Sequence, residues 1–283
     1  MDKNSNKSYV KFWGVRGSNP TPDKDKMKYG GDTSCVEIRT KDNDLIILDM
    51  GTGLRKLGAK IISDRTYGNE INIFLSHYHW DHIMGFFYFA PLYDKKFTIN
   101  IHGYNAKTSI QKLKDHLINK SFWPVDEEAY AAKINFIEIP KSSNKEVLIK
   151  INKTKIYYSL HPHPNGANSF KIVTHNKKIV YITDCEHPNG KLNANVINIS
   201  KEADILIHDS HYTINDLSNH RGWGHSSWKQ AVEVAIVSQT NKLILFHHSP
   251  NYDDNQIEEN EKNAQKKFIN TIAAYQGLTI DLD

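Results

Sequence analysis

One short segment concentrates the residues whose types can do chemistry. In Ile71 to Gly85, INIFLSHYHWDHIMG, an apolar run leads into His77, His79, Asp81 and His82, spaced H-x-H-x-D-H, before an apolar helix start. Residues two apart on extended backbone point to the same side, so His77 and His79 can grip one ion. A turn toward a helix then lets Asp81 and His82 reach another. Mixed imidazole and carboxylate donors suit zinc, manganese(II) or iron(II) and do not choose cleanly among them. The chain carries 15 histidines, gathered in HYHWDH, HPHP, HDSH and FHH, where an evenly sprinkled surface residue would not gather. The two cysteines, Cys35 and Cys185, are far apart and lack CxxC spacing, so they read as reduced thiols rather than ligands or a disulfide.

Such loops need a rigid frame. Short β-branched or alternating runs recur at Tyr9 to Trp13, Cys35 to Arg39, Leu45 to Asp49, Ile71 to Leu75 and Phe97 to His102. A helix-compatible stretch follows near Lys107 to Asn119. Strand patterns resume at Ile134 to Ile139, Lys155 to Leu160, Ser169 to Thr174, Lys178 to Thr183, Asp204 to His208 and Lys242 to Phe246. Ser227 to Val237 and Glu258 to Tyr275 read as helices. Nothing between them is low in complexity or repeated, so residues 1–283 are expected to form a single domain. Several strands run out into acidic or histidine-bearing loops (LDMGTG, LSHYHWDH, ITDCEH, IHDSH, LFHHSP), which places the chemistry along one edge of a sheet.

Composition narrows the class. A formal charge of +4 is too small for an extended phosphate-binding face, so no stable nucleic-acid complex is expected. The longest apolar run, Gly85 to Tyr93, contains a proline and falls well short of the roughly 20 residues of a bilayer span, so no membrane partner is expected. The polar start, MDKNSNKSYVKFWG, lacks the apolar core of a secretory signal, and a cytoplasmic location is the expectation.

HYHWDH resembles the signature of the metallo-β-lactamase superfamily, and further motifs follow in that superfamily's order across nearly the whole chain. The resemblance implies an α/β fold, the four-layer αβ/βα sandwich with two mixed β-sheets, and two divalent ions, Zn²⁺ first with Mn²⁺ or Fe²⁺ as alternatives. LILDMGTG then places Asp49 beneath the metals. HPNGANSF matches the third-histidine motif at His163, with His161 as competitor, and KIVYITD delivers Asp184 as a bridging carboxylate. ADILIHDSHY, GHSSWKQAVEVA and KLILFHHSP resemble the tRNA-maturation endonuclease and cyclic-phosphodiesterase branch. There His247 matches the last ligand, with His248 as alternative, His225 a catalytic histidine, and Asp209 the carboxylate that orients it, where the branch usually has Glu. The implied metal ligands are therefore His77, His79, Asp81, His82, His163, Asp184 and His247.

The implied reaction is hydrolysis of a phosphodiester: the metals supply hydroxide for attack at phosphorus, Asp81 helps orient it, and His225 acts as general acid. Endonucleases of the branch usually carry a basic arm between the third histidine and the bridging aspartate, and the interval from His163 to Asp184 leaves no room for one. A small substrate is therefore expected, and WGVRGSNP, YGGDTSC and RGWGHSS look like the cyclic-phosphodiesterase-like subgroup. The reading is a 3′,5′-cyclic nucleotide such as cAMP or cGMP, with a tRNA 3′ endonuclease or a phosphoribosyl cyclic-phosphate phosphodiesterase as alternatives. Arg16 as a phosphate partner and Trp123 as a stacking platform are the expected substrate contacts, although a turn-stabilising Arg fits as well. A homodimer is a family-level expectation.

Overall fold

The computed structural model describes residues 7–104, 108–125, 127–140, 147–188 and 191–283. Lys107, the first residue of the expected helix, and most of the polar N-terminal start lie outside them. The strands are β1 (Tyr9–Gly14), β2 (Cys35–Arg39), β3 (Leu45–Leu48), β4 (Glu70–Phe74), β5 (Thr98–Gly103), β6 (Lys133–Glu138) and β7 (Val147–Ile151). They continue with β8 (Thr154–His161), β9 (Ala167–Thr174), β10 (Lys177–Ile182), β11 (Ile205–Asp209), β12 (Leu243–Phe246), β13 (Thr271–Ala273) and β14 (Thr279–Asp281). The α-helices are α1 (Leu54–Ser63), α2 (Trp80–Ile83), α3 (Ile110–Leu117), α4 (Ala194–Ser200), α5 (Ile214–Asn219), α6 (Trp228–Val237) and α7 (Asp254–Gln265).

The residues gather into two compact units. One falls within Met1–Gly14, Asp32–Lys141 and Gly277–Asp283, the other within Val15–Gly31 and Ser142–Gln276. Each unit holds one seven-stranded sheet, ordered β14-β1-β2-β3-β4-β5-β6 in the first and β13-β12-β11-β10-β9-β8-β7 in the second. Both are mixed, the class expected. In the first, β3 to β6 pair in parallel and the remaining pairs are antiparallel. In the second, β10 to β13 are parallel and β7 to β10 antiparallel. The burial patterns follow from this. Strands β3, β11 and β12 are buried throughout, as parallel strands covered on both faces must be, whereas β1 alternates with period two.

Each unit has its own apolar core. Leu54, Leu57 and Ile61 of α1 pack with Ile71, Ile73 and Phe86 in the first unit. In the second, Val232 and Val234 of α6 pack with Leu206, Leu243 and Ile257. Ser227 caps α6 in a reciprocal box with Gln230, which fixes where that helix starts and so where the preceding His225 sits. One expected element is corrected. The helix expected to run from Glu258 to Tyr275 is α7, Asp254–Gln265, and Thr271–Ala273 is instead a strand whose Ile272 pairs with Ile244. The pairing partner for β-branched Thr271 and Ile272 is supplied by tertiary structure, which a local pattern does not contain.

Several buried histidines are held as neutral rings, His208 and His211 among them. Burial lowers His102 and His161 to about 4 and His187 and His248 to about 3, with His163, His208 and Arg16 adding charge repulsion to the last three respectively. A His whose folded pKa is depressed holds its full stability above the unfolded value, about 6.5, and loses it as pH falls below that and the unfolded chain takes up the proton first. Unfolding free energy is therefore expected to drop from about pH 6.5 down to about 4 for His102 and His161 and about 3 for His187 and His248, each ring contributing up to about 1.4 kcal/mol per pH unit. Urea midpoints measured across that range check this, and a flat profile overturns it.

Candidate metal and acid–base site

The carboxyl ends of the parallel strands carry the chemistry, the edge at which open α/β sheets present their sites. Three of the candidate site residues just past strand ends sit in left-handed backbone: Asp49 after β3 (φ 61°), Asp184 two residues after β10 (φ 49°) and His247 after β12 (φ 59°). Non-glycine residues there carry strain that surrounding structure must hold, a pattern common at functional sites.

In the first unit, β4 runs into Ser76 and His77, and His79 is the N-cap of α2, which carries Asp81 and His82. Asp49 organises the loop. Its Oδ1 accepts the Ser76 N–H at 2.7 Å, and its Oδ2 accepts the Ser76 hydroxyl at 2.8 Å and His82 Nδ1–H at 2.8 Å. With its proton given to Asp49, the Ser76 hydroxyl accepts from His77 Nδ1 at 3.0 Å. Both rings are thereby fixed with Nε2 as the lone-pair nitrogen. The His77 ring lies 4.4 Å from His79 and 4.3 Å from His82, and His82 Nε2 is 3.1 Å from Asp81 Oδ2.

In the second unit, Asp184 offers one oxygen to each side. Its Oδ1 is 3.1 Å from His247 Nε2, and its Oδ2 is 3.7 Å from His163 Nε2. His163 is aimed by Nδ1–H donating to the Gly224 carbonyl at 2.9 Å. Gly17 lets the chain pass close to His247, because a Cβ there would stand 2.4 Å from that ring. The two histidines left open by the sequence are otherwise engaged. His161 bonds Ser169 Oγ through Nδ1 at 2.7 Å and the Thr183 and Asp184 carbonyls through Nε2 at 2.9 and 3.1 Å. His248 Nε2 donates to the Ala274 carbonyl at 2.9 Å.

Beside Asp184 lies the acid–base pair. His225 Nδ1–H donates to Asp209 Oδ2 at 2.9 Å. Asp209 is fully buried, and its carboxylate also accepts the backbone N–H groups of Cys185 (3.3 Å), His211 (2.9 Å) and Ser226 (3.2 Å). Burial alone would raise its pKa. The His225 charge and hydrogen bond, with His247 nearby, outweigh that and hold it down at about 2, so it is an anion at neutral pH. Such a partner fixes the His225 tautomer and leaves Nε2 for the substrate.

One expected substrate contact is corrected. Arg16 is 0% exposed and donates to the carbonyls of Gly30 (2.9 Å), Ser249 (3.0 Å) and Tyr252 (2.8 Å), so it braces a turn and does not reach a phosphate. Trp123 lies in an aromatic cluster of the first unit, 5.0 Å from the Phe87 ring and 5.2 Å from Tyr88. Sequence reasoning also passed over His211, whose ring stacks on His225 at 4.2 Å and 14°, and Glu186, which accepts the N–H groups of Gly222 and Gly224 at 2.8 and 2.9 Å. The HDSH spacing, two residues on from Asp209, was the available signal for His211.

A family model described as "Beta-lactamase superfamily domain" matches residues 45–248. The chain belongs to the beta-lactamase superfamily. Among its relatives in the superfamily, a protein named ribonuclease Z from Picrophilus torridus is 26% identical over 97% of this chain and 96% of its own length. A ribonuclease Z from Prochlorococcus marinus is 37% identical over 91 residues, and the match spans only 29% of that protein. The crystal structure of the metallo-beta-lactamase fold protein YhfI from Bacillus subtilis superposes with a TM-score of 0.72 at 17% identity, covering 98% of this chain and 99% of that one, and so shares the superfamily fold.

Proposed function

We propose that the chain is a metal-dependent hydrolase of phosphodiester bonds in RNA, of the kind its relatives are named for. The observation that carries the reading is the Asp209–His225 pair set against Asp184, His163 and His247. The whole-length relative named ribonuclease Z supports it. His77, His79, Asp81, His82, His163, Asp184 and His247 are the proposed ligands of two divalent ions. The donors fit such ions: they are imidazole and carboxylate, with no thiolate among them, since Cys35 and Cys185 are buried in apolar cores. The ions, zinc in the first place and manganese(II) or iron(II) otherwise, supply an ionised water and offset phosphate charge. Asp49 and Ser76 hold His77 and His82 in register. Asp81 orients the nucleophile, and His225, held by Asp209, donates a proton to the departing oxygen.

A small phosphodiester is the second reading, favoured by one feature. The β9–β10 hairpin fills the interval from His163 to Asp184 with a tight turn at His175 and Asn176, so a tRNA-gripping arm has no place there. The narrower reading, a 3′,5′-cyclic nucleotide, ranks behind RNA because the relatives named above are ribonucleases. Metal-loaded protein should be offered a precursor tRNA with a 3′ trailer, cAMP, cGMP, 2′,3′-cyclic nucleotides, a phosphoribosyl cyclic phosphate and bis(p-nitrophenyl) phosphate. Cleavage of the trailer supports the first reading and cleavage of cyclic phosphates alone supports the second. No diester hydrolysis in Zn²⁺ or Mn²⁺ overturns both.

A further inference from the structure

A cavity of about 280 Å³ opens within the second unit, and His225 is the one residue of its lining that the proposed chemistry uses. Its walls include His211, Tyr212, His220, Trp223 and Asn251, an aromatic lining next to an acid–base residue. Trp223 is 62% exposed. The backbone that carries it is clamped. One carboxylate, Glu186, accepts the N–H groups of Gly222 and Gly224, the residues on either side of Trp223. Both glycines lie at positive φ, 85° and 87°, and at Gly224 a Cβ would stand 2.1 Å from His163 Nδ1. The Gly224 carbonyl in turn receives His163 Nδ1–H, so the loop that displays the indole also aims a proposed metal ligand. Behind the indole, His220 meets it edge-on at 5.0 Å and stacks on Tyr212 at 4.7 Å and 17°. His220 Nδ1–H donates to the Asp216 carbonyl at 2.7 Å, which keeps its ring in place.

From this geometry we infer that the Trp223 cavity is a nucleobase subsite: it holds the base of a nucleoside esterified to the phosphate being cleaved. A flat aromatic carried on a clamped backbone beside the proton donor offers what every base has, a π-face, and Asn251 at the rim offers amide groups to a base edge. His211 supports the sugar. Its Nδ1–H donates to the His247 carbonyl at 3.0 Å, so Nε2 carries a lone pair that accepts a ribose hydroxyl. The subsite deepens the phosphodiesterase reading and rests on it for the position of the phosphate.

The test compares wild type, Trp223→Ala and Trp223→Phe on two diesters, thymidine 5′-p-nitrophenyl phosphate and methyl p-nitrophenyl phosphate. The ratio of kcat/KM for the nucleoside diester over the methyl diester should fall roughly 5- to 150-fold in Trp223→Ala, the range base stacking gives, and recover in Trp223→Phe. An unchanged ratio, with wild type active on both, overturns the subsite and leaves the phosphodiesterase standing. If wild type hydrolyses neither, the phosphodiesterase reading fails. The subsite is then judged by titration with adenosine 5′-monophosphate and with ribose 5-phosphate, followed by tryptophan fluorescence. Stronger binding of the base-bearing ligand that is lost in Trp223→Ala sustains it, and equal binding of the two overturns it.

Discussion

Replacing His225 with alanine is expected to slow cleavage of a sugar-alkoxide diester about 10²–10⁴-fold, the range that general acid catalysis supplies. The expectation rests on geometry. The ring is held by Nδ1–H on Asp209, a carboxylate kept anionic by its imidazole neighbours, so Nε2 is the nitrogen that can carry a proton to the departing oxygen. The dependence on leaving group separates this role from a structural one. An alkoxide needs the proton and p-nitrophenolate does not, so the defect should shrink sharply on bis(p-nitrophenyl) phosphate. A variant that is merely misfolded loses both activities alike. Asp209→Asn should show the same selectivity in weaker form, because the amide can still accept from Nδ1–H but no longer stabilises a charged ring. Equal losses on both diesters in His225→Ala, with a normal unfolding transition, would sink the general-acid assignment.

Much of the scaffold behind that pair is legible in the sequence, because buried parallel strands must be continuous apolar runs and the half-covered ones must alternate. LIIL and LILF announce β3 and β12, and KFW with its alternating neighbours announces β1. The loops that end those strands announce their chemistry by residue type. Which atom does what is another matter. His161 and His163 differ in the sequence by nothing decisive, and only the carbonyls of Thr183 and Asp184 around His161 Nε2 show which ring is already spent. Arg16 reads from the sequence equally as a phosphate contact or a turn-stabilising residue, and only its hydrogen bonds to residues more than two hundred positions away, Ser249 and Tyr252, decide for the turn. The left-handed backbone at Asp49, Asp184 and His247 is imposed by tertiary packing and leaves no local mark. Trp223 was passed over because its exposure depends on the distant Glu186 carboxylate and not on the residues beside it.

Asp184 carries the second large expectation. Its two oxygens face different imidazoles, His247 on one side and His163 on the other, and Thr183 Oγ1 donates to Oδ1 at 2.7 Å, which fixes the carboxylate plane. Asparagine has nearly the same shape but replaces one oxygen with an N–H donor aimed at a ring nitrogen and removes the negative charge. A group that only packed would tolerate this; one that would hold a metal ion would not. Asp184→Asn is therefore expected to lose at least one metal ion per chain and to lower diester turnover by more than about 100-fold, since even the residues that merely orient ligands cost about 10–100-fold in affinity or activity. Metal analysis after dialysis, together with the urea midpoint in excess chelator, checks it. The chelator measurement isolates the fold from the ions: a midpoint close to wild type with the metal gone assigns Asp184 to the ions, whereas full metal content and undiminished turnover remove it from the ligand set. Asp209→Asn provides the contrast, because Asp209 bonds His225 and backbone amides and should retain its metals while losing turnover. If both variants lose metal equally, the division of labour between ligand and orienting carboxylate is wrong, and the pair beside Asp184 belongs to the metal site itself.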